Sequence, residues 1–268
     1  MALSSCREKD LDMTVLQKTL YEDAMINEIT AEDAWNITIL QDENTFVELE
    51  YSAFLEDYLK VQLEGSSLFM GFTRHLYFPS NTVMNATVHT PTVHKLSFSD
   101  AVFAALDNLN LETDINLELE DAASCRGGHF KGDALIKLSD ASTCAELHIE
   151  GRDCTVELKD ASVFKGSLNV GRLLNLTVKD ASRFTDYWGE IDHAEVEVSD
   201  ASSLNMATSW INRMYIEVDD ASEATVNVVE SLEGMVHDAS KLYYSGNPTL
   251  NVDCDETSIL QQVEYPNP

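Results

Sequence analysis

Carboxylates recur at a fixed interval through the second half of this 268-residue chain. Asp-Ala-Ser or a close variant begins at Asp100, Asp121, Asp140, Asp160, Asp180, Asp200, Asp220 and Asp238. If that interval places successive aspartates above one another, their carboxylates form a row of the oxygen ligands that calcium prefers. The candidate residues for such a cation-binding ladder are Asp140, Asp160, Asp180, Asp200 and Asp220. No cofactor is predicted, and calcium is the cation that the ladder would take if it binds one. We call these five residues the aspartate ladder.

The same triplet also suits a chain reversal. The aspartate carboxylate would accept the backbone N–H two residues on, Ala fits a tight turn, and the Ser hydroxyl would satisfy another backbone group. Stacked like charges repel by roughly 1 kcal/mol in water, and a side-chain cap contributes about 0.5–2 kcal/mol. The glycine-rich nonapeptide of calcium-binding β-rolls is absent from the sequence. A structural corner is therefore the preferred interpretation, and cation binding is the alternative.

Two segments that depart from the repeat contain titratable side chains of the kinds used in catalysis. They carry Arg126, His129 and Lys131 in one and Asp186, Glu190, Asp192 and His193 in the other. A polysaccharide lyase or glycoside hydrolase needs clustered acids, or calcium with a basic residue, so a carbohydrate-active enzyme is the alternative function. Basic residues are scarce and the acids follow the repeat. Both segments are therefore interpreted as turns and strand edges, and no catalytic residue is predicted.

Trp188 and Trp210 are the aromatic residues that would act as sugar platforms if they were exposed. An indole offers a large apolar surface with one polar N–H. Because tryptophan is highly buried on average, the sequence interpretation places both side chains in the core.

Alternating residues precede each corner and define the strands that must position these side chains. Cys154, Val156 and Leu158 fall on one face, with Thr155 and Glu157 on the other, which is the period of a half-buried strand. Positions twenty residues apart are aliphatic throughout, at Ile136, Val156, Leu176, Val196 and Ile216. The return from one strand to the next is too short for a helical crossover. Successive strands are therefore predicted to stack as the coils of a solenoid.

The predicted fold is all-β, a right-handed parallel β-helix with about 20 residues per coil, since parallel crossovers are almost always right-handed. Residues 21–253 are predicted to form one domain. Within it, residues 21–98 form irregular N-terminal coils that lack the corner motif, and residues 99–253 form the regular Asp-Ala-Ser coils. Residues 1–20 are interpreted as a tether and residues 254–268 as a tail.

Charge limits the partners of this chain. Lys and Arg number 17 against 47 Asp and Glu, and the formal net charge of −30 repels phosphate backbones and anionic membrane surfaces. No nucleic-acid partner is therefore predicted. The sequence has no run of eighteen apolar residues, so no membrane-spanning segment is predicted either.

Cys6 is the candidate lipid-attachment residue. The sequence ALSSC at residues 2–6 places small residues directly before a cysteine, as in a bacterial lipobox, and the polar stretch that follows suits a tether. Only five residues precede Cys6, so this interpretation requires a trimmed signal peptide. It predicts contact with a membrane only through a lipid anchor. The other cysteines have no CxxC spacing, which disfavours a zinc or redox motif.

Several segments in a fixed order resemble the GIN domain family of autotransporter-adhesin head domains. They are the repeated strand-DAS segments, INEITAEDAWNITILQDENTFVELEYSAFLEDYLKVQLEGSSLFM, VHTPTVHKLSFSDA and YYSGNPTL, and the resemblance covers roughly residues 21–253. Members often carry Gly-Ala-Ser at the corner, so the aspartates are a departure from the family pattern. The resemblance implies a right-handed β-helix, an envelope location and a binding or structural role, with no functional residues to carry over.

The predicted function is that of a non-catalytic β-helical lipoprotein of the cell envelope, acting as an adhesin or as a surface-binding or structural protein. Its predicted place is the outer membrane, facing the periplasm or the cell surface. Its predicted partners are a protein or a glycan at the cell surface.

Overall fold

A computed structural model describes residues 11–264, whose regular secondary structure is almost entirely β-strand. Residues 1–10, with the predicted lipid-attachment residue Cys6, and residues 265–268 lie outside the described part. Between residues 11 and 264, no helix is long and apolar enough to cross a membrane.

The described part of the chain forms one sheet of 23 strands. The first nine are β1 (Val15–Leu20), β2 (Glu28–Ala31), β3 (Asn36–Gln41), β4 (Phe46–Ser52), β5 (Leu59–Glu64), β6 (Ser67–Phe72), β7 (Met84–Thr90), β8 (Lys95–Phe98) and β9 (Phe103–Ala105). A 3₁₀-helix, Ala53–Tyr58, joins β4 to β5. The next seven are β10 (Asn110–Leu111), β11 (Ile115–Leu119), β12 (Ser124–Arg126), β13 (His129–Phe130), β14 (Ala134–Leu138), β15 (Thr143–Leu158) and β16 (Val163–Val178). The last seven are β17 (Arg183–Asp186), β18 (Glu190–Val198), β19 (Ser203–Val218), β20 (Glu223–Val236), β21 (Lys241–Ser245), β22 (Thr249–Cys254) and β23 (Ile259–Gln262).

Successive coils stack in parallel and in register. Val156 pairs with Ile136 on one side and with Leu176 on the other, and all three side chains are at most 2% exposed. The re-entry positions after the corners stack in the same way, because the rings of Phe164 and Phe184 lie parallel with centroids 5.0 Å apart. The predicted all-β solenoid with about 20 residues per coil is therefore confirmed.

Each Asp-Ala pair turns the chain with both residues in the left-handed backbone region, as at Asp160 (φ 54°) and Ala161 (φ 62°). This region costs an L-residue roughly 1–2 kcal/mol, and aspartate is one of the residues enriched there. The N–H of Ala161 donates to the carbonyl oxygen of Asp180 at 2.8 Å, and the same bond joins every neighbouring pair of these corners. The corners therefore form a continuous backbone ladder.

The serines of the triplet form a second, buried ladder. The N–H of Ser162 donates to Oγ of Ser182 at 3.1 Å, and the N–H of Ser202 donates to Oγ of Ser222 at 3.1 Å. The predicted bond from each corner carboxylate to the N–H two residues on is wrong for the Asp-Ala corners of residues 11–264. Turns of that kind form instead outside these corners, where Asp12 accepts the N–H of Thr14 at 3.0 Å, Asp42 that of Asn44 at 3.0 Å and Asp255 that of Thr257 at 2.9 Å.

The N-terminal coils do not stack in chain order. Strand β2 lies between β6 and β8, and β3 lies between β7 and β9, so a later part of the chain lies beyond them. Asp33 (φ 69°) and Ala34 (φ 58°) form a ninth corner, and the N–H of Ala34 donates to the carbonyl oxygen of Asp100 at 2.8 Å. The interpretation that this region lacks the corner motif is therefore wrong. Trp35, fully buried, occupies the position of the serine.

The N-terminal end of the stack differs from the predicted parallel coils, and the folded sheet extends beyond the predicted bounds at both ends. Strand β5 pairs antiparallel with β6, and β4 pairs antiparallel with both β1 and β7. These strands cover the N-terminal edge, which would otherwise expose unpaired backbone groups. Residues 15–20 of the predicted tether form β1, and residues 259–262 of the predicted tail form β23, which pairs with β21. Both segments therefore belong to the folded sheet.

Candidate functional site

A groove of about 990 Å³ runs across the coils at a bend about midway between successive Asp-Ala corners of the chain. Two rows of side chains line it, and we call this surface the groove. The first row comprises Lys131, Glu150, Asn169, Glu190 and Trp210. The second row comprises Asp114, Asp133, Arg152, Asp192 and Asn212.

The first row follows the stacking of the coils. Glu150 pairs in register with Asn169, and Glu190 pairs in register with Trp210. The N–H of Glu190 donates to Oδ1 of Asn169 at 2.9 Å, which links the two halves of the row. The row therefore presents one side chain per coil at the spacing of neighbouring strands, about 4.8 Å.

Glycines allow the bends beneath the groove to pack closely. A Cβ at Gly151 would lie 2.3 Å from the carbonyl oxygen of Gly132, and a Cβ at Gly132 would lie 2.5 Å from the carbonyl of Thr113. Both positions therefore require glycine. Gly171, one coil further on, is different, because a Cβ there would meet only the carbonyl oxygen of Gly151 at an ordinary 3.8 Å.

Trp188 and Trp210 lie on adjacent coils and are 46% and 43% exposed. The backbone N–H of Trp210 donates to the carbonyl oxygen of Gly189 at 2.7 Å, so the backbones that carry the two indoles are in direct contact. The prediction that both side chains lie in the core is wrong. For Trp210 the reason is strand alternation, since Ser209 and Ile211 on either side of it are fully buried and Trp210 faces outward. Trp188 lies in the bend between β17 and β18.

Asp186 lies beneath this aromatic pair and is 1% exposed. Its Oδ2 accepts a hydrogen bond from Oγ of Ser209 at 2.6 Å, and its Oδ1 accepts one from the N–H of Leu168 at 3.2 Å. Burial raises the pKa of Asp186 to about 6, although these hydrogen bonds and one from the backbone of Trp188 lower it in part. A carboxyl group enclosed in this way cannot contact a molecule in the groove.

The segment that presents Trp188 is held at two further points. Oγ1 of Thr208 donates to the carbonyl oxygen of Asp186 at 3.2 Å. A Cβ at Gly189 would lie 2.0 Å from the carbonyl oxygen of Leu168, so this backbone packs directly against the preceding coil. Asp186, Thr208 and Gly189 together fix the backbone segment that carries the indole.

Of the other titratable residues in the segment 184–193, the structure brings two into the groove. Glu190 and Asp192 line it, and Oδ2 of Asp192 accepts a hydrogen bond from Nη2 of Arg213 at 2.8 Å. A hydrogen bond from Asn212, with a smaller effect of Arg213, holds the pKa of Asp192 below its usual value. His193 lies outside the groove, with Nε2 3.7 Å from a carboxylate oxygen of Glu195.

The segment 124–133 is divided in the same way. Lys131 lines the groove, whereas Nη2 of Arg126 forms an exposed ion pair with Oδ2 of Asp107 at 3.0 Å. Nε2 of His129 lies 3.1 Å from a carboxylate oxygen of Glu150, at the groove margin. These three residues therefore do not form a common cluster.

The aspartate ladder lies at the exposed Asp-Ala corners, about half a coil along the chain from the groove. In residues 11–264, three carboxylates that would converge on one cation, with oxygens within 4.8 Å of one another, are those of Asp219, Asp220 and Asp238. Asp220 is the one ladder residue among them. The hydrogen bond that protonated Asp238 donates to Asp219, together with the negative charges of Asp219, Asp220 and Asp255, raises the pKa of Asp238. Cation binding by the ladder as a whole stays a prediction.

Solved structures of similar fold come from Parabacteroides species. A structure described as a "putative adhesin" from Parabacteroides merdae superimposes with a TM-score of 0.69 at 9% identity, covering 93% of this chain and 96% of that one. A "putative adhesin" from Parabacteroides distasonis gives 0.63 at 13% identity, covering 94% and 98%. A "putative lipid binding protein" from the same species gives 0.61 at 11% identity, with the same coverage. At these identities the likeness shows the fold alone.

A comparison with curated proteins gives no match. A family model described as "Putative auto-transporter adhesin, head GIN domain" matches residues 26–248. That range contains the antiparallel strands β4 to β7, all nine Asp-Ala corners and the whole groove, and it begins after β1. The resemblance noted in the sequence is thereby confirmed, and the chain belongs to the GIN domain family.

Proposed function

We propose that this protein is a non-catalytic binding protein of the cell envelope that holds a surface ligand, a protein or a glycan, in the groove. Membership of an adhesin-like family supports a cell-surface or envelope role. The finer parts of the proposal are an outer-membrane lipoprotein anchored through Cys6 and facing the periplasm or the cell surface.

The exposed tryptophan pair carries this proposal. Each indole leaves more than two fifths of its surface in water, although burying aromatic area is favourable. Three separate contacts, from Asp186, Thr208 and Gly189, fix the segment that keeps Trp188 there. Exposed aromatic side chains on a rigid, concave surface are typical of binding sites.

The state of the carboxylates supports a binding role over the carbohydrate-active enzyme. A general acid or base must reach the substrate directly or through one water. Asp186, whose pKa of about 6 is suited to an acid, is enclosed by protein. Asp192 is paired with Arg213, and Oδ1 of Asp133 accepts two backbone N–H groups at 2.9 Å. Release of reducing ends or unsaturated products from a polyuronide panel would restore the enzyme hypothesis.

Co-sedimentation of the purified protein with intact bacterial cells tests the binding role. We expect Trp188→Ala/Trp210→Ala to lose most of the bound fraction, because it removes both exposed indoles. Tyr77→Ala is the matched control, since Tyr77 is an aromatic residue 87% exposed outside the groove. Equal retention of all three proteins would contradict a role for the groove.

The lipid anchor has its own test. The chain is expressed in a bacterium behind a lipoprotein signal peptide and labelled with palmitate, beside a Cys6→Ser variant. We expect label and membrane association in the first protein and neither in the second. Label in both proteins, or in neither, would remove Cys6 from the proposal.

A further inference from the structure

We propose that the ligand of the groove is a linear, uncharged glycan. This inference rests on the proposed binding function and names the chemical class that the groove is built to take. Four properties of the groove support this class of ligand: its length, its hydrogen-bonding side chains, its charge and the hydrogen bonding of its backbone.

The groove is long and repeats along its length. Its first row runs from Lys131 to Trp210 over five coils, which is four steps of about 4.8 Å, or about 19 Å end to end. A β-linked hexose chain advances by a similar distance per sugar. Successive sugars of an extended chain would therefore meet equivalent positions on successive coils.

The side chains of the groove offer both hydrogen-bond donors and acceptors. Lys131 and Arg152 only donate, Glu150 and Glu190 only accept, and the amide of Asn169 does both. A sugar hydroxyl also donates one hydrogen bond and accepts others. The apolar faces of the sugar rings would pack against the indoles of Trp188 and Trp210, which are amphipathic in the same way.

The charge of the groove disfavours anionic glycans. Five carboxylates line it, those of Asp114, Asp133, Glu150, Glu190 and Asp192, against two cationic side chains, Lys131 and Arg152. The whole chain adds a net charge of −30. Each close pair of like charges costs roughly 1 kcal/mol even in water, and a concave surface focuses the field. Uronate or sulfated chains would therefore be repelled.

The backbone around the groove offers little to an extended peptide. Peptides that bind along strands need an open sheet edge with free N–H and C=O groups. Here the N–H of Tyr187 donates to Gly166 and the N–H of Trp210 donates to Gly189, both at 2.7 Å, and the N–H of Glu190 donates to Asn169. Recognition therefore depends on side chains, as suits a ligand rich in hydroxyls.

Tryptophan fluorescence and calorimetry with defined hexasaccharides test the inference. The neutral probes are cellohexaose, mannohexaose, xylohexaose and maltohexaose, and hexagalacturonate is the anionic one. The chain has three tryptophans, and Trp35 is fully buried, so a change in emission on binding reports Trp188 or Trp210. We expect at least one neutral probe to bind with a Kd of about 1 mM or lower, unaffected by salt.

Variants locate the binding. Trp188→Ala/Trp210→Ala should raise the Kd for the neutral probe by about tenfold or more, as measured by calorimetry. Tyr77→Ala should bind the probe as the wild type does. Circular dichroism and thermal unfolding verify that the double variant is folded. Binding that the double variant retains would overturn the inference, and so would tighter binding of hexagalacturonate than of every neutral probe.

The cell-binding assay separates this inference from the function on which it rests. If no neutral probe binds at about 10 mM but the double variant still loses cell binding, the glycan class is wrong and the binding function stands. If neither the neutral probes nor cells bind to the wild type, both the glycan inference and the proposed binding function are wrong.

Discussion

Each coil of this solenoid turns at two chemically different places, the Asp-Ala corner and the bend beneath the groove. The corner repeats two left-handed residues nine times, and at eight of these corners the alanine N–H donates to a backbone carbonyl of the neighbouring coil, whereas Ala239 donates to Oγ1 of Thr257. The bend changes from coil to coil, with glycine at 132, 151 and 171, a buried carboxyl at Asp186 and an exposed indole at Trp210. Repetition at the corner builds the stack, and departure from repetition at the bend creates a surface with its own chemistry.

The largest effect is expected from a substitution at one of the close contacts in the bend. Gly151→Ala would place a Cβ 2.3 Å from a backbone oxygen of the preceding coil, and backbone cannot yield as a side chain can. We expect the free energy of unfolding, measured by urea denaturation, to fall by about 3 kcal/mol or more. Gly171→Ala is the control one coil away, with a 3.8 Å contact, and should change it by less than about 1 kcal/mol. Equal losses would show that the bends are not differently packed.

The next effect concerns the buried charge. Asp186 has its pKa raised from 3.8 to about 6, so the folded state binds this proton more tightly than the unfolded chain does. Protonation of Asp186 therefore adds to the free energy of unfolding as the pH falls from about 6 toward 4. This stabilisation is lost as the pH rises back through about 6. At pH 7.5 the ionised carboxylate costs about 3 kcal/mol.

Asp186→Asn removes that cost and can still accept the N–H of Leu168. We expect it to be more stable than wild type at pH 7.5 by up to about 3 kcal/mol, and the difference to shrink by pH 4.5. Denaturant unfolding of both proteins at the two pH values measures it, and their difference cancels the titration of the other acids. A variant less stable than wild type at pH 7.5 would show that the hydrogen bonds of the carboxylate outweigh its burial.

A smaller effect is expected at the corner. Ala161 is exposed with φ 62°, so substitutions there change backbone strain with little change in packing. Ala161→Val should lower the free energy of unfolding by about 1–2 kcal/mol, because a β-branched residue tolerates this region poorly. Ala161→Gly should leave it unchanged or raise it by up to about 1 kcal/mol. Thermal and urea unfolding compare the two, and a destabilising glycine would contradict the left-handed corner.

The smallest expected effect is cation binding at the acidic corners. Calorimetric titration with calcium should give weak binding centred on Asp219, Asp220 and Asp238, worth about 0.4 kcal/mol of stability when calcium equals its Kd. Asp238→Asn should abolish it, and Asp160→Asn, a ladder residue outside that group, should not. Loss in both variants would assign the cation to the whole aspartate ladder, and a heat-free titration to millimolar calcium would exclude both.

The sequence was informative where neighbours in the stack are also successive in the chain. Val156 and Leu176 could be paired from their spacing because each coil contacts the coil before it. The same logic failed at the N-terminus, where residues 28–41 lie between coils that come later in the chain. Asp33-Ala34 was present as a dipeptide, but its distance from Asp100 hides it from a search for a 20-residue interval, and Trp35 replaces the serine.

The candidate site was predictable only in part. The break in periodicity marked the segment 184–193, and residue type alone marked Trp188 and Trp210 as possible sugar platforms. Alternation around Trp210, between Ser209 and Ile211, was the available signal that this indole faces outward. No pattern signalled that Asp186 is enclosed while Glu190 and Asp192 are not, because that depends on where Ser209 and Leu168 of other coils place their donors.

The sequence by itself determined the period, the strand faces and the corners, because these depend on residues close in the chain or one fixed interval apart. The tertiary structure alone decided the out-of-order N-terminal coil, the antiparallel cover of the edge and the convergence of two rows of side chains into the groove. Those features depend on which coils become neighbours and how closely their bends pack, and such contacts join residues that no local pattern relates.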